Sequence, residues 1–242
     1  TTYLDFSSDG GFARAVEMCN GVGACRKVGE GTMCPSYMVT RDEEHSTRGR
    51  ANLLRAVLSG ACPELVEGAL PAQGLASRRL YDALDLCLEC KACKAECESG
   101  VDMAKLKYEF LAHYIEAHGV PLRTRLFADI NRLSQWGSRL APVSNWAVAN
   151  PLSRALVQPL LGIDSRRSLP PFVRKTFVQW FRSRRPTTDS KRGPVVLFCD
   201  TFMDYNYPDV GRAAVEVLER AGFQVVLPAL VCCGRPMISK GF

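Results

Sequence analysis

Four cysteines between residues 87 and 97, namely Cys87, Cys90, Cys93 and Cys97, constrain this chain more than any other feature of it. They follow the C-x2-C-x2-C-x3-C run that serves as a ligand spacing in bacterial iron-sulfur proteins. The physical reason is reach. Three thiolates within a turn and a half can each bind one iron of a single cubane, while the fourth points away toward a second cluster. A zinc site more often closes its tetrahedron from two separated C-x2-C pairs. Disulfides fit worse, because thiols this dense would have to bridge very short spans.

The chain holds eleven cysteines, an odd number grouped at metal-ligand spacings, which suits a reducing compartment and leads us to expect a cytoplasmic protein. A composition 47% hydrophobic and 23% charged is that of a soluble globular protein with room for one or two cores, and it excludes disorder. No run of eighteen apolar residues and no charged-then-apolar leader is visible, so neither a membrane span nor a signal peptide is expected. The net charge of +6 suits an acidic partner or an anionic membrane face and points to no nucleic acid.

Upstream lies a second cysteine block. A short helical run, Phe12 to Met18, delivers Cys19, and CNGVGAC then places Cys25 where Gly21 and Gly23 let the backbone curl closely. This is a C-x2-C-x2-C spacing with Val22 in the middle position. Cys34 follows, and Pro35 behind it turns the chain away from a cluster. Residues 47 to 59 read as a helix capped near Ser46 or Thr47 and ended by Gly60. Arg48 and Arg50 fall in its first turn, an unfavourable place for cations unless an anion lies there; solvated arginines are the alternative. Glu43, Glu44 and His45 read as surface residues. Residues 61–76, rich in proline and glycine, read as an inserted loop with a spare thiol, Cys62. Helices are expected from Ser77 to Leu86 and from Val101 to Gly119, the second with Leu106, Phe110, Leu111 and Tyr114 on one side. His113 and His118 on it read as ordinary helix histidines.

Both ends look cut: TTYLDFS reads as a strand with no partner nearby, and Phe242 falls in the middle of a βα unit. Residues 121–190 carry short helical stretches broken at Pro142, Pro151, Pro159 and Pro170. Val173, Phe177, Trp180 and Phe181 form an apolar stripe flanked by arginines, which fits core and also a basic amphipathic helix lying on a membrane surface. From Gly193 the period changes: PVVLFC and FQVVLP read as strands around a helix from Pro208 to Ala221, with Val210, Ala214, Val217 and Leu218 on its apolar face. Cys199 closes the first strand and Cys232 and Cys233 follow the second, so the three thiols should converge at the carboxyl edge, where such sheets bind ligands.

Taken together, MCNGVGACRK, GTMCPSYMVTRDEEHSTRGRANLLR, LDLCLECKACKAEC with GVDMAKLKYEFLAH, and the final VCCGRP resemble the C-terminal iron-sulfur region of FAD-linked 2-hydroxyacid dehydrogenases, a group that includes D-lactate dehydrogenase and glycolate oxidase relatives. The resemblance implies a mainly α chain: a helical-ferredoxin dicluster domain over 1–120, with 1–10 the tail of a missing FAD domain; a helical connector over 121–190; and the truncated first half of an α/β cysteine-rich (CCG) domain over 191–242. Two departures from the pattern stand out. Glu98 takes the place of the proline that usually follows the last cluster cysteine, which should loosen the turn at Cys97, and the CCG region ends before its second half.

The implied cofactors are two iron-sulfur clusters, one 4Fe-4S and one 3Fe-4S or 4Fe-4S, with FAD on the missing N-terminal domain. The last cysteine of each run should serve the other cluster, as in two-cluster ferredoxins, so Cys34 joins Cys87, Cys90 and Cys93 while Cys97 joins Cys19 and Cys25. The implied role is electron transfer from reduced flavin to a quinone, cytochrome or other redox protein, with an FAD-binding domain or subunit as partner and the inner membrane face as a peripheral location. A separate iron-sulfur subunit of the glycerol-3-phosphate dehydrogenase or heterodisulfide reductase type, and a zinc-stabilised interaction module, are the alternatives. No acid/base constellation is visible, and the chain alone should not be catalytic.

Overall fold

The computed structural model describes residues 1–61, 75–185, 191–229 and 231–242. Most of the 61–76 loop, with Cys62, lies outside the described residues. The chain is mainly helical, with fourteen α-helices and two short strands among the described residues. It divides into two compact units, Thr1–Val120 with Ile238–Phe242, and Pro121–Met237.

In the first unit, helices Phe12–Glu17, Thr47–Ser59, Arg78–Asp85 and Met103–His118 pack their apolar faces into one core that includes Val16, Leu54, Leu84 and Phe110. Local chemistry sets their ends. Ser46 caps the Thr47–Ser59 helix by accepting from the Gly49 amide, and Gly60 ends it in the left-handed conformation (φ 67°) that glycine adopts without steric cost. Asp102 caps the Met103–His118 helix through the Lys105 amide. The cysteines are part of this core: Cys25, Cys34 and Cys93 are buried in it, and Cys19, Cys87 and Cys97 pack against it. The segment read as an N-terminal strand is irregular and leads into a 3-10 turn at Ser7–Asp9. The fully buried Glu109 carboxylate accepts from the Tyr3 and Leu4 amides, so this backbone finds its acceptors in a helix side chain rather than in a sheet.

The second unit begins with helices Leu122–Ala128, Ile130–Arg139, Val143–Ala149 and Pro151–Leu161. Pro151 starts the last of these at a position where its missing N–H costs nothing, and Pro159 sits inside that helix instead of breaking it. The Phe177–Ser183 helix opens with a capping box between Thr176 and Gln179. Its apolar stripe is core: Phe177 and Val178 are buried with Cys199, Met203, Val215 and Val225, and Trp180 and Phe181 pack against them. Strands β1 (Pro194–Val196) and β2 (Gln224–Val226) pair in parallel, Val195 opposite Val225, and are shorter than the apolar runs that encode them. A helix without a clear signal in the sequence, Thr201–Tyr205, precedes Pro208–Arg220 in the crossover. Pro208, Gly211 and Val215 of Pro208–Arg220 are buried and Leu218 of the expected face packs against the same core, while Val210 and Val217 face solvent. The expected face is rotated because Gly211, which carries no hydrophobic signal, is where the Phe177 ring seats.

Candidate metal centre

Cys87 and Cys90 lie on a loop, leading to Cys93, that curls tightly because Glu89 (φ 56°) and Lys91 (φ 60°) both adopt the left-handed conformation, which costs a non-glycine residue about 1 kcal/mol or more. Lys107, on the Met103–His118 helix, holds that loop in place. Its ammonium donates to the Cys87 carbonyl at 2.8 Å and pairs with the Glu89 carboxylate at 3.0 Å, and both side chains are buried. Cys93 sits in the first turn of the short helix Ala92–Glu96, which ends at Cys97. Glu96 reaches back to accept from the Thr32 and Met33 amides at 2.8 and 3.1 Å and from the Thr32 hydroxyl, so the central cysteine run is tied to the stretch of chain that presents Cys34. Gly31 admits this carboxylate, since a Cβ there would lie 2.6 Å from it. The turn at Cys97 is not loosened by Glu98: the Gly100 amide closes it on the Cys97 carbonyl at 2.8 Å.

Cys34, Cys87, Cys90 and Cys93 line one cavity, together with Thr47, Arg50 and Glu89. Among the described residues no three His, Cys, Asp or Glu side chains close on a position that would hold a single metal ion. The cavity that the four cysteines line is small, about 20 Å³. Burial pushes the Cys93 thiol up to about 11, and it pushes Cys34 up as well, against the lowering effect of the Thr47 hydroxyl and the Arg50 guanidinium. Buried thiols of this kind are unreactive as free cysteines, and bound metal reverses the preference by deprotonating them outright.

Arg50 is the informative residue of the wall. It is 1% exposed, and its guanidinium donates to the Ala83 carbonyl at 2.9 Å and the Ser36 hydroxyl at 3.1 Å. Among the described residues no carboxylate pairs with it. A buried cation without a counter-charge is costly, so this one calls for an anion in the adjoining space. Arginines in a helix's first turn, the unfavourable placement visible in the sequence, are accounted for by burial at Arg50 and by contacts at Arg48, not by solvation.

The first cysteine block is organised by Arg48. Its amide donates to Cys25 Sγ at 3.3 Å, and its guanidinium donates to Glu43 at 2.7 Å and to the Gly21 carbonyl at 3.1 Å. Glu43, with the Cys25 and Cys19 thiols beyond it, holds the Arg48 pKa above its usual value. Glu43 also pairs with Arg26 at 3.0 Å, so this residue, which reads as plain surface in the sequence, stitches the CNGVGAC loop to the helix. Arg55 adds a bond to the Cys19 carbonyl at 2.9 Å. Val22 is 58% exposed on this loop, its amide turned onto the Asn20 side chain. His113 is held by Glu109 and His118 by the Tyr114 carbonyl, which places neither among the cysteines.

In the second unit the three thiols differ in burial. Cys199 is buried on the wall of a cavity of about 110 Å³ with Phe198, Leu227 and Val231, and burial, with Asp204 and Asp200 nearby, pushes it up to about 12. Cys232 is half-buried, Cys233 is exposed, and neither lines that cavity. Val231, the neighbour of Cys232, lines the Cys199 cavity, and β1 and β2 end at Val196 and Val226, short of all three cysteines.

A family described as "4Fe-4S dicluster domain" matches residues 15–101. D-2-hydroxyglutarate dehydrogenase of Escherichia coli (strain K12) is 28% identical over 95% of this chain and 26% of its own length. One of the subunits of anaerobic glycerol-3-phosphate dehydrogenase from the same organism is 32% identical over 50% of this chain and 31% of its own. The "Probable glycolate oxidase iron-sulfur subunit" of Bacillus subtilis (strain 168) is 26% identical over 83% of this chain and 46% of its own. The chain thus spans about a quarter of the length of the D-2-hydroxyglutarate dehydrogenases it matches. No solved structure matches it. Among the described residues no helix is long and apolar enough to cross a membrane.

Proposed function

We propose that this chain, whose residues 15–101 match a family described as "4Fe-4S dicluster domain" and which is similar to dehydrogenases and their iron-sulfur subunits, is the electron-transfer portion of an FAD-linked D-2-hydroxyacid dehydrogenase. The hydroxy acid is oxidised on a flavin domain N-terminal to Thr1, and the acceptor is a quinone, a cytochrome or another redox protein. D-2-hydroxyglutarate is the leading substrate, because the relatives that align over nearly the whole chain carry that name. When bound, the clusters supply one-electron steps between flavin and acceptor.

The observation that carries this reading is the buried, carboxylate-free Arg50 in the wall of the four-cysteine cavity. Cys34, Cys87, Cys90 and Cys93 would hold one cluster, with Arg50 offsetting its negative charge and Lys107 fixing the loop that presents two of the thiols. Cys19, Cys25 and Cys97 would hold the other. Val22 offers no ligand atom, so three thiolates are available there, which suits a 3Fe-4S cluster or a 4Fe-4S cluster with one iron bound by water or a neighbouring side chain such as Asn20. A separate iron-sulfur subunit is the second reading, favoured by the match over half the chain to a component of anaerobic glycerol-3-phosphate dehydrogenase; the coding sequence upstream of Thr1 separates the two.

Anaerobic reconstitution tests the proposal. The protein should turn brown, bind iron and sulfide for two clusters, and show no turnover of D-2-hydroxyglutarate, D-lactate or glycolate with a dye acceptor. Cys34→Ser and Cys90→Ser should alter the same EPR signal, and Cys97→Ser should alter the one that Cys19→Ser alters. An oxidised 3Fe-4S centre is paramagnetic, and Val22→Cys should convert it to the four-iron kind. A colourless zinc protein, or Cys34→Ser tracking with Cys19→Ser, overturns the assignment.

A further inference from the structure

Two adjacent residues in one helical turn touch cysteines assigned to different clusters. Thr47 Oγ1 lies 3.0 Å from Cys34 Sγ, and the Arg48 amide lies 3.3 Å from Cys25 Sγ. Resting on the two-cluster reading above, we infer that Thr47 and Arg48 tune the reduction potentials of the two centres separately, each through its own hydrogen bond to a ligand sulfur.

The direction of each bond follows from the chemistry. A cysteine bound to iron is a thiolate with no proton to give, so the Thr47 hydroxyl is the donor, and an amide can only donate. The Arg48 amide is free for this role because of how the helix begins. The first amides of a helix have no partner within it, and here Ser46 supplies acceptors for the next two: its side chain takes the Gly49 amide at 2.9 Å and its carbonyl the Arg50 amide at 3.1 Å. Cys25 Sγ is what remains for Arg48. Its guanidinium is occupied by Glu43 and the Gly21 carbonyl, so the amide, not the side chain, is the group that touches sulfur.

Donors to sulfur draw electron density from the thiolate and favour the reduced, more negative state of a cluster, which raises its potential. Both donors are fixed in place. Thr47 is 3% exposed, and the turn is wedged against the Glu43–His45 segment so closely that a Cβ on Gly49 would lie 2.1 Å from the Glu43 carbonyl oxygen. Substituting one donor should therefore leave the other where it is.

EPR-monitored redox titration of the reconstituted chain tests this. In Thr47→Val, which keeps shape and loses the hydroxyl, the four-cysteine centre should become about tenfold harder to reduce, ~59 mV for one electron, with the other centre unmoved. Thr47→Ser should restore it. Replacing the residue 48 amide by an ester, with the α-hydroxy analogue of arginine, removes the N–H while keeping the backbone and should lower the other centre, whereas Arg48→Ala keeps the amide and should shift it less. Unchanged potentials in Thr47→Val at full iron content, equal shifts in both centres, or Thr47→Ser behaving like Thr47→Val would overturn the inference alone. Wild type that takes up no iron overturns the two-cluster reading, and the inference with it.

Discussion

At the scale of single residues, Lys107 and Glu89 are the pair on which the cysteine loop depends, and neither is conspicuous in the sequence. Lys107 sits in a helix whose apolar positions are plain, where a lysine ordinarily marks the solvated face; Glu89 reads as one more charge in a charged run. Folding brings them together at 3.0 Å with side chains 6% and 9% exposed. Removing one partner of a buried pair strands the other, at a cost of about 3 to 5 kcal/mol. Lys107→Met should therefore destabilise the protein by that order and release the loop, while Glu89→Gln with Lys107→Met should lose less. Denaturant titration of the two single variants and the double completes the cycle, and additive losses would show that the two residues do not act as a pair. Arg50 differs in being half legible: its first-turn position is electrostatically wrong in the sequence alone, and only burial decides between solvent and an anion.

Among elements, those whose signal is local were readable. Ser46 and Gly60 bound their helix as the caps foretell, and Ser77 and Gly119 flank theirs. Elements that answer to distant partners were not. The N-terminal segment alternates like a strand, yet its amides go to Glu109, more than a hundred residues away. The Pro208–Arg220 helix turns a face centred on Gly211 and Val215 inward because the Phe177 ring occupies the room that a side chain at 211 would fill. This gives an element-level prediction. Alanine is intrinsically the better helix residue by about 1 kcal/mol, but a Cβ at 211 would lie 2.5 Å from the fully buried Phe177 ring. Overpacking should prevail, so Gly211→Ala should cost about 1 to 3 kcal/mol in thermal unfolding, and Phe177→Leu in the same chain should recover part of it. A Gly211→Ala protein as stable as wild type would mean that the ring moves freely.

For the whole molecule, the two cores differ in what fills them. The first draws its buried residues from positions 6 to 114 and includes Cys25, Cys34 and Cys93, with Cys19, Cys87 and Cys97 packed against it; the second draws from 177 to 225 and, among the described residues, includes one cysteine, Cys199. The dicluster family was legible because its cysteine spacing is written in short intervals of sequence, and residues 15–101 match it, whereas the ends of β1 and β2 depend on packing and were not. If the proposed clusters bind the native first unit and not its unfolded chain, their removal should weaken that unit by mass action and leave the second core as it was. The three tryptophans, Trp136, Trp146 and Trp180, all fall in the Pro121–Met237 unit, so tryptophan fluorescence reports on that unit while visible absorbance reports on the clusters. Heating the reconstituted protein before and after oxidative bleaching with a chelator should show helix content lost at lower temperature once the iron is gone, with the fluorescence transition unmoved. Gly211→Ala should do the reverse, shifting fluorescence and sparing the absorbance. Coincident transitions by both probes in every variant would show that the two cores unfold as one, and that the clusters stabilise the entire chain.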